Sequence, residues 1–305
     1  MFEESKHPRD KDGKFTNKNN ATDKSINELK AELATNKPNL KAEQKPIINP
    51  IFDTPEDREV IDNISKGFYY SVDAIKNLPT FKKMDKLAIE TKLAVGKKIG
   101  VPSGETIELN TPERQKQREG FINDFINGTG EARTRPNALK KEYKLTLVVG
   151  LPASGKSKRI AEPLSMEQGA FIFDSDEMKR TIPEYLNGAN GGGVHEESKM
   201  LLKRAEAFFT NGEMKGTNLV YPIIGDDGEK NMKKLKPFID AGYDVEIAYK
   251  SANTEESMNR ALMRGVKDNR PFAGEVLMSY DNDKIVAAYK YTLAQGIKKS
   301  KYSEL

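Results

Sequence analysis

The chain has 305 residues, and its 50 Lys and Arg against 46 Asp and Glu leave a net charge of +4, too mild a surplus for an obligate nucleic-acid binder. With no Cys and only His7 and His195, disulfides, thiolate zinc sites, iron–sulfur clusters, cysteine nucleophiles and His-rich metal sites are excluded. Hydrophobic content of 36% and a mean hydropathy of −0.70 point either to an unusually polar surface or to a chain that is only partly folded, with no run near the ~18 apolar residues of a membrane span and no secretory signal in its mixed-charge N-terminus. A cytoplasmic protein with no membrane partner is expected.

Residues 1–48 are dominated by Lys, Asn, Asp, Glu and Thr, and read as a disordered polar tail. Within it, residues 25–35 (SINELKAELAT) suit a short helix capped by Ser25 with Glu28 three residues on. At Thr54-Pro55-Glu56-Asp57 the texture changes to a helix start: a hydroxyl cap, proline in the first turn, then acids near the positive dipole end. Val60, Ile61, Ile64, Phe68 and Val72 continue it at helical spacing until Leu78-Pro79, and residues 84–95 give a second helical stretch. Residues 49–109 are therefore expected to be a helical lead-in or small helical subdomain, without recognisable chemistry.

Thr111-Pro112-Glu113 repeats the start signal, carried on by Phe121, Ile122, Phe125 and Ile126 to Gly128. Strand-like and helical stretches then alternate. Strands are expected at 145–149, 170–173, 219–224 and 245–249, and helices from 155–156 and over 195–209, 229–241, 254–264 and 275–293. That alternation predicts an α/β fold over 110–298, with βαβ units and a mostly parallel sheet flanked by helices. No internal repeat is present.

Residues 150–157 (GLPASGKS) match GxxxxGK[ST] at every fixed position, directly after the apolar run KLTLVV. Holding a triphosphate requires several inward N–H groups in a tight loop, with glycine where side chains would block approach. Gly150, Ala153, Ser154, Gly155, Lys156, Ser157 and Lys158 are the expected nucleotide-binding residues. Lys156 is placed to reach the β/γ-phosphates, and the Ser157 hydroxyl to ligate Mg²⁺.

The loop alone names no reaction. No Asn-Lys-x-Asp base-reading motif of GTPases is present, and 219–224 holds Tyr221-Pro222 where ATPase motors carry an acidic strand end. In small-molecule kinases an Asp at the end of the strand after the loop serves as base toward the acceptor hydroxyl, and here Phe171-Ile172-Phe173 runs into Asp174-Ser175-Asp176. Asp176 is the candidate base and Asp174 a candidate Mg²⁺ ligand; the plainer alternative is that Asp174 or Ser175 caps a short helix over 177–181. Arg260 and Arg264, four apart on one helix face, and Arg270 beyond its end are candidates for stabilising the transferring phosphoryl group, against the alternative of a solvated basic face. Glu196 and Glu197, after the Gly-rich stretch 188–193, are candidate acceptor-site groups, while His195 reads as a first-turn residue without chemistry.

Taken together, GLPASGKSK, FIFDSDEMKRTIPEY, VHEESKMLLKRAEAFF, GTNLVYPIIGDD and NRALMRGVKDNRPF, in that order and spacing, resemble the zeta toxin family of P-loop kinases over about residues 110–295. The resemblance implies phosphorylation of a nucleotide-sugar hydroxyl, UDP-N-acetylglucosamine in the best-known members, with ATP or GTP and Mg²⁺. It also implies an inhibitory antitoxin partner. By it, Lys156 and Ser157 hold nucleotide and metal, Asp176 is the base, and Arg260 with Arg264 or Arg270 stabilises the moving phosphoryl group. Tyr221-Pro222 departs from the Asp/Glu-Gly-Thr segment common in relatives. The stretch HPRDKDGKFTNK resembles N-termini of proteins carried by phages and mobile elements. The rival expectations are a polynucleotide or nucleoside kinase, and a nucleotide-binding interaction module whose chemistry has lapsed.

Overall fold

The computed structural model describes residues 52–93, 98–100, 106–108, 111–128, 138–186, 193–267 and 272–305. The tail expected over 1–48, the short helix within it and Arg270 lie outside these residues, as does all of the Gly-rich stretch except Gly193.

Three helices open the described chain: α1 (Pro55–Ser65), α2 (Val72–Asn77) and α3 (Pro79–Leu93). The capping box expected at Thr54 forms, with the Thr54 hydroxyl accepting from Asp57 N and the Asp57 carboxylate accepting from Thr54 N. The single helical run expected to reach residue 78 is broken. Gly67 takes a φ of +87° and turns the chain, so Phe68 falls outside any helix and is 66% exposed. Pro79, expected to end a helix, begins one instead.

A two-stranded antiparallel ribbon of β1 (Lys98–Gly100) and β2 (Thr106–Glu108) follows, then α4 (Pro112–Asn127), capped by Thr111 as expected. The α/β unit begins with β3 (Lys144–Gly150). After it come a π-helical turn (Ser157–Ala161), α5 (Glu162–Gln168), β4 (Phe171–Ile172), α6 (Ser175–Lys179), α7 (Pro183–Leu186) and α8 (His195–Thr210). β5 (Leu219–Pro222), α9 (Gly228–Asp240), β6 (Asp244–Lys250), α10 (Thr254–Lys267), α11 (Gly274–Met278), α12 (Asn282–Ala294) and β7 (Lys298–Lys299) complete it.

The five strands pair in parallel in the order β4-β5-β3-β6-β7. The parallel sheet with flanking helices is as expected from the sequence. Two details differ. The helix expected over 275–293 is two helices, because Asp281 accepts from Asp283 N and caps a fresh start. A two-residue fifth strand, Lys298–Lys299, also adds to the edge of β6, too short and too polar to carry a strand pattern.

Both faces of the sheet are covered, which is why its strands read as continuous apolar runs. Leu145, Leu147 and Val149 of β3, Leu219 and Tyr221 of β5, and Val245, Ile247 and Tyr249 of β6 face one core with α4, α8, α9 and α12. Val148, Val220 and Ala248 face the other, against Ile160, Ala161 and Leu164 of the turn and helix that follow β3. On the first face, Phe173 sits edge-on to Phe125, Phe209, Tyr221 and Phe238 at centroid distances of 5.1–6.2 Å. This aromatic cluster anchors the chain immediately before Asp174. A third core joins Phe52, Val60, Ile64, Ile75, Phe81 and Met84 to Met258, Leu262 and Val266 of α10. Phe125 is 1% exposed with ring contacts to Phe171 and Phe173, so Phe125→Ala is expected to cost about 3–5 kcal/mol of unfolding free energy, read from urea denaturation.

Candidate active site

β3 lies at the centre of the sheet, and the chain leaves it on one side toward β4 and β5 and returns on the other through β6. Its C-terminal end is therefore the switch point where α/β sheets open a crevice for ligands. Gly150 ends β3 in register with Lys250 of β6, and a β-carbon at 150 would lie 2.6 Å from the Lys250 carbonyl oxygen. Only glycine fits that approach. The loop then alternates handedness: Ala153 at φ +56° and Gly155 at φ +93° are left-handed, a pattern that turns successive N–H groups toward a common centre as an anion-binding nest. A non-glycine residue held at positive φ, as Ala153 is, costs of order 1–3 kcal/mol and is typical of ligand-gripping loops. Ser154 is fully buried, and its hydroxyl has no hydrogen-bond partner among the described residues. The widened π-helical turn from Ser157 to Ala161 follows at once, a geometry common beside functional sites.

Lys156 is folded back on its own loop. Its Nζ donates to the carbonyl oxygens of Gly150 and Leu151 at 2.7 and 2.6 Å. Burial lowers its ammonium to about 8, while the charges of Asp174 and Asp176 pull the other way. The loop lysine and both carboxylates thus share one electrostatic neighbourhood.

Asp174 is buried at the end of β4 and caps α6, its Oδ1 accepting from Asp176 N at 2.9 Å. The plainer alternative for Asp174 is therefore realised, without removing the carboxylate from the neighbourhood of Lys156. Asp176, half-exposed in the first turn of α6, accepts from Lys179 Nζ at 2.7 Å. Lys179 received no role from the sequence, although its spacing of three from Asp176 on a helix was the available signal. Ser157 is half-buried and Lys158 exposed.

Arg260 of α10 reaches the loop, with Nη1 donating to Ser154 O at 2.9 Å while its other arm pairs with Glu256. Arg264, one turn on, is exposed. Glu196 is exposed in the first turn of α8. Glu197, expected beside it as an acceptor-site group, is instead 3% exposed and bonded by Arg114 and Arg118 at 2.7–3.0 Å. Arg114 also forks onto both oxygens of Glu184 in α7 at 2.9 and 3.0 Å. Burial opposes the Arg114 charge, but its bonds to Glu197 and Glu184 outweigh this and hold the guanidinium above its ordinary value. The carboxylate of Glu197 thus fastens α8 to α4 and is taken up by that task.

Two further residues border the site. Burial first, then the nearby charges of Lys179 and Lys199, holds His195 down to about 4, so it is neutral at pH 7. Burial, aided by Glu206 and Asp174, pushes the Tyr221 phenol well above its usual range, which keeps it protonated near Asp174. Among the described residues no three acidic or His side chains cluster as a ready-made metal cage. Ser157 and Asp174 offer oxygen donors only, which suits a hard cation such as Mg²⁺ that takes its remaining ligands from phosphate and water. No helix among the described residues is long and apolar enough to cross a membrane.

A family model described as zeta toxin matches residues 131–287, more than half of the chain. No curated protein matches the sequence. Among solved structures, a chain of the AvrRxo1-ORF1:AvrRxo1-ORF2 complex with sulphate ions is similar at 20% identity and a TM-score of 0.46, over 60% of each chain. A chain of the PezAT chromosomal toxin–antitoxin system of Streptococcus pneumoniae is similar at 16% identity and a TM-score of 0.47, over 65% of this chain and 83% of that one. The AvrRxo1-ORF1:-ORF2 complex with ATP gives 19% identity and a TM-score of 0.41, over 60% of this chain and 57% of that one.

Two outcomes follow from this geometry. Glu197→Ala leaves two buried guanidinium groups short of their partner and is expected to lower stability by about 3–5 kcal/mol in urea denaturation. Lys156 is charged below about pH 8 and neutral above it, so ATP affinity is expected to fall as pH rises from 7 to 9. Isothermal titration calorimetry should show that fall, with proton uptake on binding near pH 8, and Lys156→Arg should flatten the profile.

Proposed function

The chain belongs to the zeta toxin family, and from that footing we propose that it is a kinase moving the γ-phosphoryl group of ATP or GTP onto a hydroxyl of a small nucleotide-linked acceptor, of the UDP-N-acetylglucosamine kind. The observation that carries this reading is the meeting of Lys156, Asp174 and Asp176 in one electrostatic neighbourhood, with Arg260 bonded to the loop beside them. A protein that merely held nucleotide would need the loop and not the carboxylate opposite.

The loop N–H groups and Lys156 grip the phosphates, for which Lys156 exchanges the carbonyls of Gly150 and Leu151 for phosphate oxygens. Asp176, oriented by Lys179, takes the proton of the acceptor hydroxyl as its oxygen bonds to the γ-phosphorus. The bond from that phosphorus to the β–γ bridging oxygen breaks, and ADP or GDP leaves. Arg260, one arm already anchored on Ser154 O, is placed to meet the charge that builds on the transferring group, with Arg264 or Arg270 as the second cation. Ser157 and Asp174 would hold Mg²⁺, which when bound neutralises phosphate charge. Glu196 remains the acceptor-side carboxylate of this reading. The tail composition and family membership together support a cytoplasmic toxin of a phage or mobile element, restrained by an antitoxin protein.

Incubation with labelled ATP or GTP and a panel of nucleotide sugars, nucleosides and oligonucleotides, read by mass spectrometry, tests the proposal. A phosphorylated nucleotide sugar is the expected product. Asp176→Ala should lower transfer by about 10²–10⁴-fold while sparing nucleotide binding, and Lys156→Ala should remove both. Indifference of ATP consumption to Asp176→Ala would mark a binding module, and a phosphorylated oligonucleotide a polynucleotide kinase.

A further inference from the structure

The helices α1–α3, which lie before the family match, are fixed to α10, the helix that bears Arg260. Asn259 precedes Arg260 on α10 and is fully buried. Its side-chain oxygen accepts from Tyr70 N at 2.9 Å, and its amide nitrogen donates to Tyr70 O at 2.7 Å and to Glu255 O at 2.8 Å. The amide therefore imitates a strand partner for one residue of the α1–α2 loop, a reciprocal pair joining positions 189 apart in sequence. Around this clasp the apolar side of α10, with Met258, Leu262 and Val266, is sunk into the core made by Phe52, Val60, Ile64, Ile75, Phe81 and Met84. At Gly265 the fit is tight: a β-carbon there would lie 2.7 Å from Met84 Cε.

On the other side of the same turn, Arg260 spans from Glu256 to the carbonyl of Ser154. A helix can rotate or slide by an ångström with little change in its own hydrogen bonds, so the reach of a long side chain to a fixed loop is set by what holds the helix from behind. Here that backing comes mainly from residues 52–84, outside the matched span 131–287, with Phe272, Leu277 and Met278 packed beside them.

We propose that the helical segment α1–α3 is a brace that sets the register of α10, and that Asn259 is a positioning residue which aims Arg260 at the phosphate loop. The proposal rests on the kinase reading only for its rate consequence. The coupling of brace to loop stands on geometry alone.

The test uses the full-length protein with Asn259→Ala and, as a guard against misfolding, the isosteric Asn259→Asp. Hydrogen–deuterium exchange read by mass spectrometry is expected to rise in α10 and also across residues 150–157, which neither substitution touches. In phosphoryl transfer, kcat is expected to fall about 10–100-fold with KM for ATP within about threefold, since a misplacement of an ångström is felt chiefly in the transition state. In an Arg260→Ala background the same substitution should leave kcat within about twofold, because the group it aims is gone. A loss of equal size in that background would overturn the proposal, as would unchanged exchange over 150–157 or failure of both variants to fold, which would make Asn259 merely structural. If the wild-type protein phosphorylates no acceptor, the kinase reading falls and the exchange measurement alone decides.

Discussion

The contact on which the site depends is the approach of β3 to β6 where both strands end. With Gly150 seated against the Lys250 carbonyl, the chain must leave β3 through a bend too tight for an ordinary helix start, and left-handed residues at Ala153 and Gly155 follow. Such a bend is the kind that turns successive N–H groups inward. Beyond it, Ile160, Ala161 and Leu164 cover the second face of the sheet, where Ala248 and Ala170 are small enough to let the turn and helix lie close. The loop is therefore clamped between two strands below and a packed helix behind, which gives a rigid frame to its strained residues.

The carboxylates are set by a different means. Four aromatic rings around Phe173 hold the end of β4, and Asp174 spends one oxygen on closing the first turn of α6. That cap projects Asp176 one residue into the helix, where Lys179 meets it. Core, cap and ion pair act in series, so the aim of Asp176 is as firm as the aromatic packing beneath it.

The loop, the strand preceding it and the Asp174–Asp176 pair were legible in the sequence because each is local: a spacing of glycines, an apolar run, acids at a strand end. Most helices after residue 110 were legible for the same reason, and so was the capping signal at Thr54. What escaped detection depends on partners distant in the chain. Glu197 reads as an available acid until Arg114 and Arg118, about eighty residues earlier, fold over it. Asn259 is an unremarkable helical polar residue until Tyr70 arrives. The two-lysine strand at 298–299 is defined by pairing with β6 and by nothing in its own composition. The break at Gly67 was available locally, but the apolar spacing across it was stronger than the single turn residue.

The self-bonded state of Lys156 has a bearing on selectivity. Its ammonium already sits on two carbonyl oxygens, so an incoming anion must outcompete main-chain dipoles that are held in place at no further ordering cost. On the kinase reading, a lone inorganic phosphate offers one charged group against that pair, whereas a di- or triphosphate tail would engage the loop and the ammonium together. In the proposed kinase, the two carbonyl bonds of Lys156 therefore favour a chain of linked phosphates over a single small oxyanion.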